Sequence, residues 1–211
     1  MRQLTGTDIP TAAKEREALV GAAACQGLAS VGKDRVILSL CDFTGNWSRP
    51  YEEAGYTVVR VDLESGQDVR LLPWPGRVHG ILAAPPCTKF CRLGQAAKRT
   101  TAEYLEALSV VDACLRLVAV CRPTWWALEN PPGKLADWLG PPQFKFQPCD
   151  FGDAWTKLTY LWGAFTPPTW RHAPDCKPVL PTQHDRTRRV SSETAAATPP
   201  GFSRAFFGAN P

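Results

Sequence analysis

The stretch VHGILAAPPCTKFCRLG, residues 78–94, decides how the rest of the chain is read. A short apolar run stops at two prolines, and a cysteine follows at once. Runs of this length with β-branched residues read as buried strands. Proline fixes φ and carries no N–H, so a pair of them ends the strand and stiffens the residues just after it. Cys87 is therefore expected on a rigid platform at the carboxyl end of a strand.

Three further runs have the same character: RVILSLCDF (35–43), TVVRVDL (57–63) and TWWALEN (124–130). The last also stops at a double proline, Pro131 and Pro132. KLTYLWGAF (157–165) reads as a fifth strand. WSRPYEEAGY (47–56) suggests a short helix ending at Gly55. TAEYLEALSVVDACLRLVAVCR (101–122) is the strongest helix. Thr101 serves as its N-cap, and Leu105, Leu108, Val111, Leu115 and Val118 recur at helical spacing. Strands alternating with helices predict an α/β fold with a doubly wound, mostly parallel sheet. Such sheets bind ligands at the carboxyl ends of their strands. The unusual residues fall there: Asp42 to Trp47, Asp62, Pro85 to Cys87, and Glu129 to Pro132.

No internal repeat is visible. Residues 1–34 read as an alanine-rich helical lead-in, 35–165 as one α/β domain, and 166–211 as an irregular arm rich in Pro, Thr and charge. FSRAFFGANP closes the chain as a short amphipathic helix. A chain of 211 residues suits one domain with a substantial core and a small appendage. No stretch approaches the roughly 20 apolar residues of a membrane span, so no membrane partner is expected. The N-terminal stretch lacks the apolar region of a secretory signal. The 8 cysteines are then expected as reduced thiols, with Cys41, Cys114 and Cys121 in the core. Cys87 and Cys91 have no second pair at zinc-ribbon spacing, and His79, His172 and His184 are scattered, so no metal site is expected. The net charge of +4 favours an anionic partner such as nucleic acid. Basic clusters lie at 89–99 and 185–192.

A cysteine is nucleophilic as thiolate, and Lys89 and Arg92 are placed to favour that form. Glu129 ends an otherwise apolar strand. A buried carboxylate there needs a partner, and it can also exchange hydrogen bonds or a proton with a ligand. DFTGNWSRP lies between the first strand and the first helix, where nucleotide-like ligands bind against backbone amides. Asp62 ends the second strand and suits the two hydroxyls of a ribose. Asp68 suits an adenine amino group. Each residue alone also fits a structural role: a turn cysteine, an internal salt bridge, a solvated loop.

Taken together, DFTGNW, VDLESGQDV, APPCTKFCRLG and WALENPP resemble, in the same order, the signature segments of DNA cytosine-5 methyltransferases. The resemblance spans residues 35–165, which would make that region the methyltransferase catalytic domain with a Rossmann-like fold. The compact form is similar to small methyltransferase-like proteins of bacteriophages and prophages, implying action in the cytoplasm of a bacterial host. The resemblance implies Cys87 as the nucleophile that adds to cytosine C6, and Glu129 as the residue holding the base. S-adenosyl-L-methionine is implied as cofactor, contacted by Asp42, Phe43, Thr44, Gly45, Asn46, Trp47, Asp62, Leu63, Asp68, Val69 and Pro86. Pro85, Lys89 and Asn130 would face DNA, duplex or single-stranded; in duplex the base must be flipped out.

The chain departs from the family in several places. No Q-x-R-x-R motif is present, and Lys157 in FGDAWTKLTYLWG is the nearest positional match for a base contact, with Arg186, Arg188 and Arg189 as competitors. The glycine-rich loop is thinned to FTGNWSRP, with Trp47 and Arg49 unusual there, so a modified cofactor analogue also fits. The late G-N motif is echoed only by FFGANP, which would bring Asn210 to the cofactor. Little chain is left for target recognition, implying a short site, many target cytosines, or a protein partner that reads sequence. The same chemistry on RNA or a free cytosine nucleotide, and a non-catalytic nucleic-acid or cofactor binder, remain as alternatives. A thiol-redox protein fits less well, because C-x-x-x-C lacks the redox spacing.

Overall fold

The structure is a computed structural model that describes residues 35–91, 99–153, 155–169 and 197–211. The expected helical lead-in and most of the C-terminal arm lie outside the described residues. Six strands form one mixed sheet: β1 (Val36–Leu40), β2 (Thr57–Val61), β3 (Gly80–Ala83), β4 (Trp125–Asn130), β5 (Phe144–Phe146) and β6 (Thr159–Ala164). Their order across the sheet is β2-β1-β3-β4-β6-β5. The pairings β1·β2, β1·β3 and β3·β4 are parallel, as expected from the alternation. β6 runs antiparallel to both β4 and β5. The three-residue β5 has no counterpart in the sequence reading, because three residues show no measurable period.

Strands of a sheet covered on both faces read as continuous apolar runs rather than alternating ones. β1 and β3 are buried along their whole length. Val36, Leu38, Leu40, Ile81, Ala83 and Leu128 pack toward one core. Ile37, Leu82, Trp125 and Ala127 pack toward the other. The period of two thus divides one apolar set between two cores.

The first core is covered by α2 (Thr101–Cys121), through Val111, Cys114, Leu117 and Cys121. Its N-cap is Thr100, one residue earlier than expected. Thr100 Oγ1 accepts from the Glu103 N–H, and the Glu103 carboxylate accepts from the Thr100 N–H, closing a capping box. The buried stripe also begins later than expected, since Leu105 is 62% exposed.

The second core is covered by two pieces far apart in sequence. One is α1 (Arg49–Glu53) with the turn before it, which supplies Trp47 and Tyr51. The other is α4 (Pro200–Ala209), which buries Phe202 and Phe206 completely. The Phe202 ring stacks on Phe146 at 3.9 Å and 9°. It also meets Trp47, Phe151 and Phe206. The amphipathic closing segment is therefore one wall of the domain. A short α3 (Leu135–Leu139) follows β4. Among the described residues no helix is long and apolar enough to cross a membrane.

Deleting a buried phenyl loses its transfer free energy and leaves a cavity. Phe202→Ala should lower the unfolding free energy by about 3–5 kcal/mol in urea titrations. A loss below about 1 kcal/mol, the level of an ordinary surface change, would mean that α4 does not belong to the core.

Candidate functional site

A parallel sheet carries all its carboxyl strand ends to one edge. Asp62 follows β2, Phe43 lies just beyond β1, Cys87 follows β3, and Glu129 lies near the end of β4. β6 runs the other way, with Tyr160 opposite Asn130, so the residues before it arrive at that same edge. Lys157 is one of them. Across the edge the order is Asp62, Phe43, Cys87, Glu129, Lys157.

The Cys87 segment is held from both sides. Upstream, Asn130 donates from Nδ2 to the Pro85 carbonyl at 2.9 Å. Prolines cannot donate, so this carbonyl is a main handle on the platform. Downstream, the Phe90 and Cys91 amides both donate to the Cys87 carbonyl, each at 2.9 Å. The Phe90 side chain is fully buried and anchors the turn.

Glu129 is 8% exposed, and Lys157 Nζ lies 3.5 Å from its Oε1. A carboxylate this deep needs a counter-charge, and Lys157 provides it. Both act on Cys87. Burial pushes the Cys87 thiol up, the Glu129 charge pushes it further, and Lys157 pulls it part of the way back. The thiol therefore predominates at neutral pH, and the thiolate grows in as pH rises. Among the described residues the cation felt by Cys87 is Lys157, where the sequence reading placed Lys89 and Arg92. Lys89 instead pairs with Glu103 at 2.7 Å. Arg92, Arg186, Arg188 and Arg189 lie outside the described residues.

The residues expected around the cofactor divide into open and closed sets. Phe43 is 63% and Leu63 is 59% exposed, at the ends of neighbouring strands. Between them, Asp62 Oδ1 accepts from the Glu64 N–H at 2.9 Å, and its other oxygen has no partner among the described residues. Thr44 is exposed, and its hydroxyl accepts from the Asn46 amide. Gly45 has φ 66, and a Cβ there would fall 2.5 Å from the Arg60 guanidinium carbon, so the turn needs glycine. Pro86 is exposed and borders a cleft of about 450 Å³ with Glu106, Ala107 and Val110 at the start of α2.

Other expected contacts are corrected. Trp47 is fully buried against Phe202 and Phe206; its bulk fills the second core and cannot meet a ligand. Val69 is 3% exposed and belongs to the first core. Asp42 is buried and accepts from the Ser39 and Ser48 hydroxyls at 2.9 and 3.2 Å, so it braces the loop from behind. Asp68 is closed by Arg70, which reaches both of its oxygens through Nε and holds its carboxyl below the usual carboxylate range. Asn210 lies at the opposite edge of the sheet. Its Oδ1 accepts from the Thr166 N–H at 2.7 Å, and its Nδ2 donates to the Thr166 and Phe206 carbonyls. Its amide locks α4 to the end of β6 instead of reaching a cofactor.

Two arginines were not anticipated. Arg70 ties the loop after β2 to Glu106 on α2. Arg99 donates to the carbonyls of Lys89 and Cys91, just past the Cys87 turn. Arg99 falls inside the basic cluster 89–99, whose charge alone does not reveal an inward-facing role. Among the described residues no group of His, Cys, Asp and Glu could hold a metal ion.

No protein-family model matches the chain, and no curated protein matches it. Among solved structures, the chain is similar to a candidate DNA modification methyltransferase encoded within a prophage of Escherichia coli. The identity is 18% and the TM-score 0.47, over 61% of this chain and 46% of that one. The match thus spans less than half of that chain.

The opposed charges around Cys87 make a prediction with a definite sign. Glu129→Gln removes a charge that raises the thiol pKa, so alkylation of Cys87 by iodoacetamide should begin at lower pH. Lys157→Gln should move it to higher pH. Peptide mass spectrometry of Cys87 across a pH series reads both shifts. Shifts in the same direction for the two variants would contradict the geometry.

Proposed function

We propose that the chain is an S-adenosyl-L-methionine-dependent DNA methyltransferase that modifies C5 of cytosine, built on a Rossmann-like sheet. The observation that carries this reading is the position of Cys87 on the edge. Exposed Phe43, Leu63 and the open oxygen of Asp62 lie on one side of it, and the Glu129–Lys157 pair lies on the other. The motif order read from the sequence supports it.

The open residues fit the cofactor. Phe43 and Leu63 offer apolar surface to an adenine, and Asp62 has an acceptor free for a ribose hydroxyl. Asp68, closed by Arg70, does not fit the role of adenine partner. When bound, S-adenosyl-L-methionine supplies an electrophilic methyl group. The protein's own residues do the rest. Cytosine C5 is a weak nucleophile, and addition of the Cys87 thiolate to C6 converts the ring to an enamine-like species with a reactive C5. Addition requires the sulfur above the ring plane, and the Pro85-Pro86 platform fixes that approach; errors near 1 Å are expensive in rate. Glu129 accepts from the amino group of the base and, when it carries a proton, donates it to N3, where charge builds as the sulfur adds. Lys157 offsets the negative charge that develops on the ring. After transfer the C5 proton leaves, the C6–S bond breaks, and Cys87 is released.

The test is mass spectrometry of nucleosides from plasmid DNA incubated with the protein and S-adenosyl-L-methionine. A 5-methyldeoxycytidine peak is expected. Cys87→Ser should abolish it, and Glu129→Gln should lower the rate by about 10²–10⁴-fold. Full activity in Cys87→Ser would overturn the C6-addition mechanism. Methylation of RNA or dCMP alone would move the substrate, and an unchanged nucleoside profile in all three would overturn the reading.

A further inference from the structure

Two turns carry the chemistry of this site. One holds Cys87, and the other follows Glu129. Beyond the Asn130 bond to Pro85, they meet through backbone. Cys91 and Gly133 form an isolated antiparallel bridge. Next to it, the Lys134 N–H donates to the Phe90 carbonyl at 2.8 Å. A Cβ at Gly133 would lie 2.1 Å from the Phe90 carbonyl oxygen, 2.8 Å from its carbon and 3.1 Å from Cys91 Cα. These are main-chain atoms that cannot swing aside as a side-chain tip could.

The contact is stiff on both sides. Pro131 and Pro132 fix the chain between Asn130 and Gly133. Fully buried Phe90 and Leu135 anchor the two turns in the first core. Asn130 grips the Pro85 carbonyl before Cys87, while Gly133 and Lys134 grip the residues after it. The residues just after Glu129 therefore clasp the nucleophile's segment at both ends.

We propose that Gly133 is a positioning residue whose missing side chain lets the two turns close, setting the separation of Cys87 from Glu129 and Lys157. The proposal rests on Cys87 being the nucleophile and goes beyond that reading by naming what holds it in register. A side chain at residue 133 displaces the Cys87 turn away from the acid and toward water. The turn also loses some of the Lys157 pull, but burial and Glu129 are the larger causes, so the thiolate forms at lower pH while transfer slows.

The test compares wild type, Gly133→Ala and Lys134→Pro. Lys134 has φ −63, which proline accepts, but its ring Cδ replaces the N–H that meets the Phe90 carbonyl, so that variant wedges the same two turns apart from residue 134 instead of 133. The Lys134–Asp137 ion pair lost with it is exposed and contributes little. Gly133→Ala should slow methyl transfer by about 100-fold, the scale of a 1 Å misplacement. It should also shift the pH profile of Cys87 alkylation to lower pH. Lys134→Pro should shift both measurements the same way. A merely destabilising change would lower the melting temperature and leave the alkylation profile in place. Should wild type transfer no methyl group, the function reading falls, and the alkylation profiles alone decide the positioning role. If Gly133→Ala fails to fold, Lys134→Pro decides it. Wild-type profiles in the folded variants overturn the proposal.

Discussion

The ion pair between Glu129 and Lys157 exists because one strand runs backwards. In the parallel half of the sheet every strand leaves at the same edge, and each carries its carboxyl-end residues there. Glu129 arrives this way on β4, in a strand apolar enough that the residue is 8% exposed. No helix dipole or water-facing loop is needed to balance it, because β6 enters antiparallel and delivers Lys157 from its own beginning. Had β6 run parallel, Lys157 would lie at the far edge of the sheet. Reversal of a single strand thus converts a costly buried charge into a paired one, and it puts both signs beside one thiol.

That arrangement accounts for how Cys87 is tuned. Desolvation and Glu129 oppose ionisation, and Lys157 favours it. A thiol balanced this way is not a standing thiolate. Its reactivity depends on how closely the turn carrying it approaches the pair. The two double prolines, one before Cys87 and one after Glu129, are the stiff members that hold that approach, and Asn130 and Gly133 are the points where they are joined.

Most of the parallel sheet was legible in the sequence, because strands buried on both faces declare themselves as apolar runs. The carboxyl-edge residues were legible for the same reason: a polar or proline-rich stop after such a run has few other places to be. Cys87 and Glu129 lie at strand ends as that reading expected, while Lys157 stands out only as the nearest positional match to a motif of the family the chain resembles. The errors have a common cause. Trp47 sits in a loop that reads as ligand-facing, yet its partners Phe202 and Phe206 come from the other end of the chain. Asn210 looks like a pocket residue until its amide is seen bridging Phe206 and Thr166. Asp68 looks like an open acceptor until Arg70, two residues on, folds back onto it. Whether a polar or aromatic residue is open or closed depends on partners brought together by the fold, which local pattern does not encode.

The same distinction narrows the cofactor side of the site. Of the residues read from the loop after β1, those that face inward brace it: Asp42 gathers two serine hydroxyls, and Gly45 lets the chain pass Arg60. The apolar surface left outward comes from Phe43, with Leu63 beside it on the neighbouring strand. In the proposed function, an exposed phenyl on this loop would offer a ligand stacking more than amide contacts. On the proposed reading this places the adenosine end of the cofactor at Phe43, Asp62 and Leu63. Pro86, exposed where the rigid Cys87 turn begins, would then border the site on its other side.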